Sequence, residues 1–527
     1  MLLVSYEFAA FLILLLAVYY LVPVRFRWML LLAASYLFYL TGGMFYVLYP
    51  LITTVTTWFL ARRIGAVTRE SKAYIKAQGM DREQKKEYNR QVKKRQCRLM
   101  QLGLVLNFGI LAVLKYANFV LENMGILLGA AGIEGVVPSV GWILPLGISY
   151  YTFQSMGYLI DVYYRKYEPE ENLAKFALFV SFFPQVTAGP ISRFDQLKEQ
   201  LFAPHEWDFC QVKRGAERML WGYFKKLVIA DRIGPAVAMI IIDPGTYDGI
   251  YVFLGMVGYT IWMYADFAGG IDIVIGAAQM FGIRLPENFD RPFFSKSLGE
   301  FWRRWHMSLM LWLREYIFFP VSMSRFTRRM SELVQKHFGK KAGMKVPVYV
   351  GSIVVWLTAG IWHGASWRFV AWGMANCIVM LISQELVGCY RAYHKKFAFT
   401  NHPRYRYFEI VRTFLLFACL EMFEYYSFKN VFVMFGNLVT TASLSQLWDG
   451  RFVQLGLDAA DCGIAAFGIL LMFVVSLSQR SGSVREKLER YSLPVQYAAF
   501  FGMFLIVLVA GVYGHGYDAS QFVYNQF

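Results

Sequence analysis

Long apolar blocks separated by basic segments constrain this chain more than any other feature of its sequence. Hydrophobic residues make up 57% of the 527 residues, and many are concentrated in largely apolar runs such as Phe11–Val22, Met29–Tyr39 and Phe501–Val512. An ordinary soluble protein is about 45–50% apolar, whereas a helix needs about 20 mostly apolar residues to cross a bilayer. We therefore predict an all-α, polytopic membrane protein.

The positive charges lie mainly in the segments between the apolar blocks. The formal net charge is +17, and residues 61–98 and 284–345 each contain 13 lysines and arginines. A basic surface can bind nucleic acid, but basic segments that alternate with apolar blocks are typical of cytoplasmic loops. The pattern predicts that both segments face the cytoplasm, that both chain termini face outward, and that nucleic acid is not a partner.

The apolar blocks predict about 12 crossings within a single membrane-embedded domain, residues 1–527. Pro184 and Gly189-Pro190 interrupt the apolar residues 172–190. This indicates a broken or re-entrant helix, which a membrane protein tolerates only where the backbone is buried in protein. Residues 301–320 place their tryptophans on one face of a helix at about 100° per residue. We expect this segment to be an amphipathic helix at the cytoplasmic interface.

Two of the seven histidines lie in strongly apolar and aromatic surroundings. His306 ends the sequence FWRRWH, residues 301–306, and His363 lies in IWHGA, residues 361–365. An ionisable residue inside a membrane is costly unless it is paired or used. His306 is either a functional group or the polar tip of an aromatic interfacial helix, and the residues alone leave both interpretations open.

His363 has a more informative position. The apolar segment that begins at Val346 follows a basic segment directly, and His363 lies seventeen residues further on, which is roughly 25 Å along a helix. Gly364 follows, and Trp367–Leu386 then forms another apolar run. The pattern predicts a helical hairpin with His363 at its tip, towards the outer half of the membrane. A neutral imidazole there is suited to take a proton from a hydroxyl; a packed histidine bonded to a backbone carbonyl is the alternative.

Three carboxyl groups also lie within apolar segments, at Asp161, Asp266 and Asp272. Such residues indicate either a functional site or structural ion pairs in a polar bundle core. The chain has no Walker loop, HExxH or GxSxG motif, and no metal site is predicted.

The two histidine motifs resemble those of the membrane-bound O-acyltransferase family. The resemblance extends over essentially the whole chain. Within the family, the chain is most similar to the membrane subunits of alginate O-acetyltransferase and related bacterial polysaccharide acetylases. The matching stretches are FWRRWHMSLMLWLREYIFFP (301–320), WHGASWRFVAWG (362–373), LPLGISYYTFQSMGYLID (144–161), SFFPQVTAGPISRF (181–194), FKKLVIADR (224–232), YADFAGGIDIVIGAAQMFGIRLPENF (264–289) and FVYNQF (522–527).

The resemblance implies a ring of helices with a central tunnel, open by funnels to both sides, and a catalytic core of about residues 142–390. It implies that His363 is the catalytic histidine, acting as general base, and that His306 is a second functional histidine. The implied acyl donor is cytoplasmic acetyl-CoA, which is a substrate, and no cofactor is bound permanently. The implied acceptor is an extracytoplasmic polysaccharide at the plasma membrane.

Further residues are candidates for donor binding or for lining the tunnel. The three arginines of the 301–320 segment could bind the phosphates of coenzyme A, or they could be cytoplasmic anchors. The full set of these candidates is Arg303, Arg304, Arg314, Trp305, Trp362 and Asp266.

The resemblance also implies a protein partner. Relatives that acetylate polysaccharides work with an extracytoplasmic acetyltransferase of the Ser-His-Asp esterase-like type, and this chain contains no such triad motif. Its only long outer loop is expected at about residues 429–460, with Trp448 as the single tryptophan. We expect the outer funnel to be a point of transfer to the polymer or to the partner protein.

The sequence departs from the alginate-type pattern at two places. Residues 322–325 read SMSR where those enzymes usually carry Gly-Gly-Asn-Arg, and residues 423–426 read FEYY where they usually carry Phe-Arg-Ala. Two other functions remain open. One is transfer of D-alanine from a carrier protein to teichoic acid, and the other is a transporter or pore for a small acid, which the lack of a visible inverted repeat disfavours.

Overall fold

The structure, a computed structural model, describes residues 1–133, 138–142, 144–514 and 517. The regular elements over these residues are all helices, which confirms the predicted all-α class. The C-terminal FVYNQF motif lies outside the described residues. The chain divides into two compact units, Met1–Gly215 with Val274–Pro286, and Ala216–Ile273 with Glu287–Phe527. His306 and His363 both belong to the second unit.

The α-helices are numbered here in chain order. The helices up to residue 280 are α1 (Tyr6–Leu21), α2 (Arg27–Leu40), α3 (Leu48–Ala77), α4 (Arg82–Ala130), α5 (Ile148–Tyr163), α6 (Leu173–Ser181), α7 (Phe183–Ala188), α8 (Phe194–Phe202), α9 (Phe209–Tyr223), α10 (Asp231–Ile242) and α11 (Ile250–Met280). The later helices are α12 (Leu298–Phe301), α13 (Met307–Leu313), α14 (Phe319–Ser322), α15 (Arg325–Phe338), α16 (Lys340–His363), α17 (Trp367–Glu385), α18 (Val387–Lys396), α19 (Tyr405–Tyr425), α20 (Phe428–Thr440), α21 (Ala459–Ser478), α22 (Val484–Leu488) and α23 (Leu493–Ala510). Two π-helical stretches, Phe224–Ala230 and Arg314–Phe318, interrupt the α-helical geometry.

Over the described residues, six helices are long and apolar enough to cross a membrane. A seventh crossing is added when α17 and α18, which meet at 52°, count as one span. The expected count of about 12 crossings is therefore not confirmed. Several expected spans are short, since α1 and α5 have 16 residues each and α2 has 14. Sixteen residues extend about 24 Å, which is less than the hydrocarbon core of about 30 Å. The long apolar helices are those of a multi-pass membrane protein.

The basic segment 61–98 is almost entirely helical. It begins within α3 and continues into α4, a helix of 49 residues. The side chain of Asp81 accepts a hydrogen bond from the backbone N–H of Gln84, and the side chain of Gln84 accepts one from the backbone N–H of Asp81. This capping box starts α4, which then carries the basic sequence into the following apolar run without a break.

Residues 172–190 form the broken helix that their prolines indicate. α6 ends before Phe182, whose ψ of 107° leaves the helical region, and α7 resumes with Pro184 in its first turn. A proline is tolerated there because the first turn of a helix has no intrahelical partner for its N–H groups. Residues 176–186 are buried, as an irregular backbone at membrane depth requires.

Residues 301–320 do not form the continuous interfacial helix that their periodicity predicts. The chain turns at His306, which has a left-handed backbone with φ of 44°, before α13 begins. A left-handed residue cannot continue the i to i−4 ladder of a helix, and the backbone N–H of Met307 instead donates to the carbonyl of Asn288 at 2.9 Å. As a result the tryptophans of this segment are buried within the second unit and do not face lipid.

The exposed amphipathic helix of this region is α15. Its large apolar side chains Phe326, Leu333 and Phe338 are 68%, 60% and 78% exposed. The same helix carries three arginines and a lysine. A basic helix with an unburied apolar face is typical of an interfacial helix, and within residues 301–338 it is α15 that has this pattern.

α16 and α17 form the hairpin predicted for His363, which is the last residue of α16. Glycines allow the two helices to pack backbone against backbone. A Cβ atom on Gly360 would lie 2.5 Å from the carbonyl oxygen of Phe369, and one on Gly373 would lie 2.4 Å from the carbonyl oxygen of Trp356. This close packing fixes the position of the hairpin tip.

We expect Gly373→Ala to lower the free energy of unfolding by about 1–3 kcal/mol, the usual cost of overpacking. The neighbour of the added methyl group is backbone and cannot rotate away. The matched control is Gly388→Ala in α18, where a Cβ would meet nothing within 4 Å and alanine improves helix propensity. Thermal melting of the detergent-solubilised proteins measures the difference. Equal melting temperatures for the two variants would show that the hairpin does not depend on the glycine.

Candidate active site

His363 lies at the hairpin tip with one ring nitrogen bound to a buried carboxyl group. Its side chain is 18% exposed, and its Nδ1 lies 2.8 Å from Oε1 of Glu424 on α19. An ionised carboxylate can only accept hydrogen bonds, and a neutral imidazole has one donor and one acceptor nitrogen. With Nδ1–H donating to Glu424, Nε2 is the nitrogen that carries the lone pair. This is the state in which an imidazole can accept a proton.

Several helices of the second unit place side chains around this pair. The hydroxyl of Tyr259 on α11 donates to Oε2 of Glu424 at 3.4 Å. The indole Nε1–H of Trp372 on α17 donates to Oε1 of Glu421 at 3.0 Å. The ring of Trp372 also lies 4.4 Å from the ring of His363, centroid to centroid. The imidazole is therefore oriented by packing as well as by its hydrogen bond.

His306 is fixed by an amide. Its Nδ1 lies 3.2 Å from Oδ1 of Asn288, and the same oxygen accepts from the backbone N–H of Ser308 at 3.1 Å and from its hydroxyl at 2.9 Å. Because a backbone N–H can only donate, the atom facing it must be the amide oxygen. His306 therefore donates from Nδ1. Its left-handed backbone costs about 1–3 kcal/mol, and such outliers cluster at functional sites.

The two histidines have different electrostatic surroundings. Burial lowers the pKa of the His306 imidazole well below its usual range, and the proximity of His363 lowers it further. The amide of Asn288 is neutral and stabilises an imidazolium less than a carboxylate does. His306 thus remains neutral at neutral pH, whereas the partner of His363 is a carboxyl group, that of Glu424.

Both histidines line one small cavity of about 30 Å³. The ring of His306 lies 4.9 Å from Phe267 and 5.9 Å from Trp362, which in turn lies 5.1 Å from His363. Four tryptophans form much of the remaining wall, namely Trp302, Trp305, Trp356 and Trp372. The cavity is therefore small and largely apolar, with the two imidazoles as its titratable groups among the described lining residues.

A much larger cavity of about 960 Å³ lies in the same unit. Residues of α21, α22 and α23 supply most of its apolar wall. Its charged lining residues are Glu217, Arg218, Asp272, Glu287, Asp290, Arg485 and Glu486.

Lining residues of the two cavities are in contact with one another. Met307 lines the large cavity and its neighbour His306 lines the small one. Similarly, Phe289 of the large cavity lies 5.0 Å, edge to face, from Phe267 of the small one. The wall of the large cavity thus adjoins the wall of the histidine cavity.

The three arginines predicted for donor binding line neither cavity. Arg303 and Arg314 are exposed, and Arg304 is half-buried. The guanidinium of Arg304 forms an ion pair with Glu300 at 2.7 Å, and its carbonyl accepts from the backbone N–H of Asp290 at 2.9 Å. Arg303 and Arg314 therefore lie on the surface, whereas Arg304 holds the loop that contains Asp290.

The other candidates have distinct positions. Trp305 lines the small cavity, and Trp362 is buried with its ring between those of the two histidines. Asp266 is completely buried, with Oδ1 at 2.5 Å from Nζ of Lys226, which also lies 2.7 Å from Asp231. This geometry favours the structural interpretation of Asp266 that the sequence left open.

Sequence reasoning did not identify the hydrogen-bond partners of the two histidines. Asn288 lies in residues 264–289, where the sequence shows only the family resemblance. Glu424 stands out in the sequence only as a departure from the alginate-type pattern. Glu421 was not singled out at all. A carboxyl group within an apolar run is a general signal of a site, and it could have identified both glutamates.

The chain is similar to known membrane acyltransferases. The model of MBOAT, the membrane-bound O-acyltransferase family, matches residues 169–333, a range that contains His306 but ends before His363. A probable alginate O-acetylase of Azotobacter vinelandii is 35% identical over 379 residues, which cover 71% of this chain and 67% of that protein. A peptidoglycan O-acetyltransferase of Helicobacter pylori is 29% identical over 319 residues, 56% of each chain. A teichoic acid D-alanyltransferase of Bacillus subtilis is 29% identical over 256 residues, 47% of this chain and 60% of that protein.

Proposed function

Because the chain belongs to the membrane-bound O-acyltransferase family and is accordingly an acyltransferase, we propose that it moves acetyl groups from cytoplasmic acetyl-CoA to hydroxyl groups of an extracytoplasmic polysaccharide. We place it in the plasma membrane with both termini outside. One observation carries the proposal: His363 and His306 line the same small cavity, and His363 is bound to a buried carboxyl group.

His363 is the general base of the proposed reaction. The lone pair of Nε2 takes the proton of the acceptor hydroxyl as its oxygen attacks the thioester carbonyl. The bond from the carbonyl carbon to sulfur then breaks, and the proton passes to the leaving thiolate, so that the ester and free coenzyme A are formed. Acid–base assistance of this kind contributes about 10²–10⁴-fold to a rate. The largely apolar lining excludes water, which would otherwise compete as the acceptor.

His306 orients the donor in this proposal. Since its Nδ1–H donates to Asn288, its Nε2 can only accept a hydrogen bond. It cannot polarise a thioester carbonyl, which needs a donor. An amide N–H of the pantetheine arm of coenzyme A is a suitable partner for Nε2. Holding the thioester in position lowers the entropic part of the barrier.

The large cavity is the proposed entrance for the donor. Glu217 and Arg218 follow a cluster of lysines and arginines, and Glu287 and Asp290 lie in the basic segment 284–345. Both regions are predicted to face the cytoplasm. Five carboxyl groups but two arginines line the cavity, so the uncharged pantetheine arm fits there better than the phosphates of the nucleotide.

A second protein completes the proposed pathway. The expected outer segment 429–460 contains α20 and two short 3₁₀ turns in its described residues, and Trp448 is 80% exposed. A single tryptophan is a small platform for a sugar chain, whereas exposed aromatic residues also serve as anchors for protein partners. The proposed partner is an extracytoplasmic acetyltransferase of the Ser-His-Asp esterase-like type, which passes the acetyl group to the polymer.

D-alanyl transfer is the second candidate, because the relative in Bacillus subtilis is named as a teichoic acid D-alanyltransferase. It uses the same base and the same displacement at a thioester. It differs in the donor, which is D-alanine on a carrier protein, and in the acceptor, which is teichoic acid.

The test is reconstitution of the purified chain in sealed liposomes. Acetyl-CoA labelled in the acetyl group is supplied on one side, and alginate, cellulose or peptidoglycan fragments on the other. With the partner acetyltransferase added on the polymer side, we expect release of free coenzyme A that requires donor at the face bearing residues 61–98. Label on the polymer without a second protein would refute the relay. Transfer from D-alanyl carrier protein, with none from acetyl-CoA, would favour the second candidate.

A further inference from the structure

Two glutamates of α19 lie side by side next to the proposed base. Glu421 and Glu424 are one helical turn apart, and their side chains are 1% and 3% exposed. Residues three apart on a helix share one face, with Cβ atoms about 5–6 Å apart, so the two carboxyl groups are neighbours in a site shielded from water. When two carboxylates share a buried site, each disfavours the ionised form of the other. The pair is therefore expected to hold one proton.

The surrounding donors determine which carboxyl group holds that proton. Glu424 accepts from Nδ1–H of His363 and from the hydroxyl of Tyr259. Glu421 accepts from one indole N–H, that of Trp372. Hydrogen bonds donated to a carboxylate favour its ionised form. Glu424 has two such donors besides its neighbour, so the negative charge belongs on Glu424 and the proton on Glu421.

We propose, on the basis of the acyl-transfer function proposed above, that Glu424 is a positioning residue that holds His363 as the Nδ1–H tautomer, and that Glu421 stays protonated and donates to Glu424. Glu424 touches neither donor nor acceptor, and it acts through the imidazole. A histidine oriented in this way by a carboxylate recurs in enzymes of unrelated folds.

A hydrogen bond from the protonated Glu421 reduces the negative charge that the Glu424 carboxylate presents to His363. Two negative charges beside His363 would hold the imidazole in its charged form, which cannot accept a proton from a hydroxyl. One charge, partly neutralised by the hydrogen bond from Glu421, stabilises the imidazolium that forms during transfer without trapping it beforehand. The titratable groups around the pair of His363 and Glu424 include Glu421 on α19, Tyr259 on α11, which donates to Glu424, and His306 before α13.

The first experiment compares Glu424→Gln, Glu424→Asp and Glu421→Gln in the reconstituted full chain. Labelled acetyl-CoA is the probe, the partner acetyltransferase and the polymer are supplied as acceptors, and release of coenzyme A is the readout. In Glu424→Gln the new amide can present its N–H₂ group to Nδ1 and select the wrong tautomer. We expect kcat to fall about 10²–10⁴-fold while KM for acetyl-CoA changes little. We expect the acid limb of the pH profile to move to lower pH, since a neutral amide stabilises an imidazolium less than a carboxylate does. Glu424→Asp should recover part of the rate.

Glu421→Gln is the discriminating variant. A glutamine donates to Glu424 and accepts from Trp372, as a protonated glutamate does, so this variant should retain at least about tenfold more activity than Glu424→Gln. Glu409→Gln, earlier on α19, is the matched control. Equal losses at 421 and 424, or a smaller loss at 424, would overturn the assignment of the proton. An unchanged pH profile in Glu424→Gln would overturn the positioning role.

A second measurement separates this inference from the proposed function. ¹⁵N NMR of histidine-labelled protein, with His363→Gln to assign the signal, reports the tautomer without any turnover. We expect Nδ1–H in the wild type and its loss in Glu424→Gln. If the wild type transfers no acetyl group but shows this change, the proposed function fails and the positioning role stands. If transfer is normal but the tautomer is the same in both proteins, only the positioning role fails.

Discussion

Replacing His363 by alanine is expected to abolish acyl transfer while the protein still inserts and folds. The side chain lies at the hairpin tip with 18% exposure, so its removal leaves the glycine-mediated packing of α16 and α17 intact. Loss of a general base removes about 10²–10⁴-fold of rate, and the activity that remains would be close to the background. Release of coenzyme A from labelled acetyl-CoA by the reconstituted protein measures the loss.

His337→Ala is the matched control, because His337 is an exposed histidine on α15 whose Nδ1 bonds to the carbonyl of Leu333 on the same helix. It should transfer acetyl groups at the wild-type rate. Normal transfer by a well-folded His363→Ala protein would disprove the role of His363 as base. The same comparison tests the transporter alternative, which predicts that passage of a small labelled acid survives the loss of His363.

Replacing Lys226 by methionine is expected to destabilise the protein by about 3–5 kcal/mol, the cost of removing one partner from a buried ion pair. Nζ of Lys226 lies between Asp266 at 2.5 Å and Asp231 at 2.7 Å, and all three side chains are at least nine-tenths buried. The substitution leaves two neighbouring carboxyl groups without their shared cation. In detergent, the melting temperature of the variant would be much lower than that of the wild type, or the variant would fail to fold.

Asp266→Asn provides the internal comparison. It removes one carboxylate but leaves Lys226 paired with Asp231, so its cost should be clearly smaller than that of Lys226→Met. Lys336→Met on the surface of α15 controls for the change of residue type, and its melting temperature should equal that of the wild type. A cost at Asp266 equal to that at Lys226 would mean that Asp231 contributes nothing to holding the lysine.

The hairpin that carries His363 could be predicted from the sequence, because its determinants are local. A basic segment, an apolar run, a glycine and a second apolar run specify the two helices and their turn. The partner of His363 could not be predicted in the same way, since Glu424 is 61 residues away and lies on a helix with its own apolar pattern. Which carboxyl group contacts which imidazole depends on tertiary packing, and the spacing of residues in the sequence does not predict this contact.

The segment around His306 was predicted less well for a physical reason. Its aromatic spacing fits a helix, and its tryptophans are indeed buried, but the chain departs from helical geometry at His306 and again in the π-helical stretch Arg314–Phe318. Periodicity measures where apolar side chains recur, and it is insensitive to one residue with positive φ. The expected number of crossings is not confirmed for a related reason, because hydropathy does not reveal that apolar helices such as α2 are too short to span.

In the proposed reaction, the volume of the small cavity limits the length of the acyl group that can reach the histidines. Its volume of about 30 Å³ corresponds to room for about two water molecules, which is enough for the methyl and carbonyl groups of an acetyl unit. A longer acyl chain would have to displace the rings of Trp302, Trp356 or Trp372, each of which is buried and packed edge to face against another. For the proposed reaction we therefore expect selectivity for short acyl groups, and we expect that replacing one of these indoles by a smaller side chain would allow longer acyl donors.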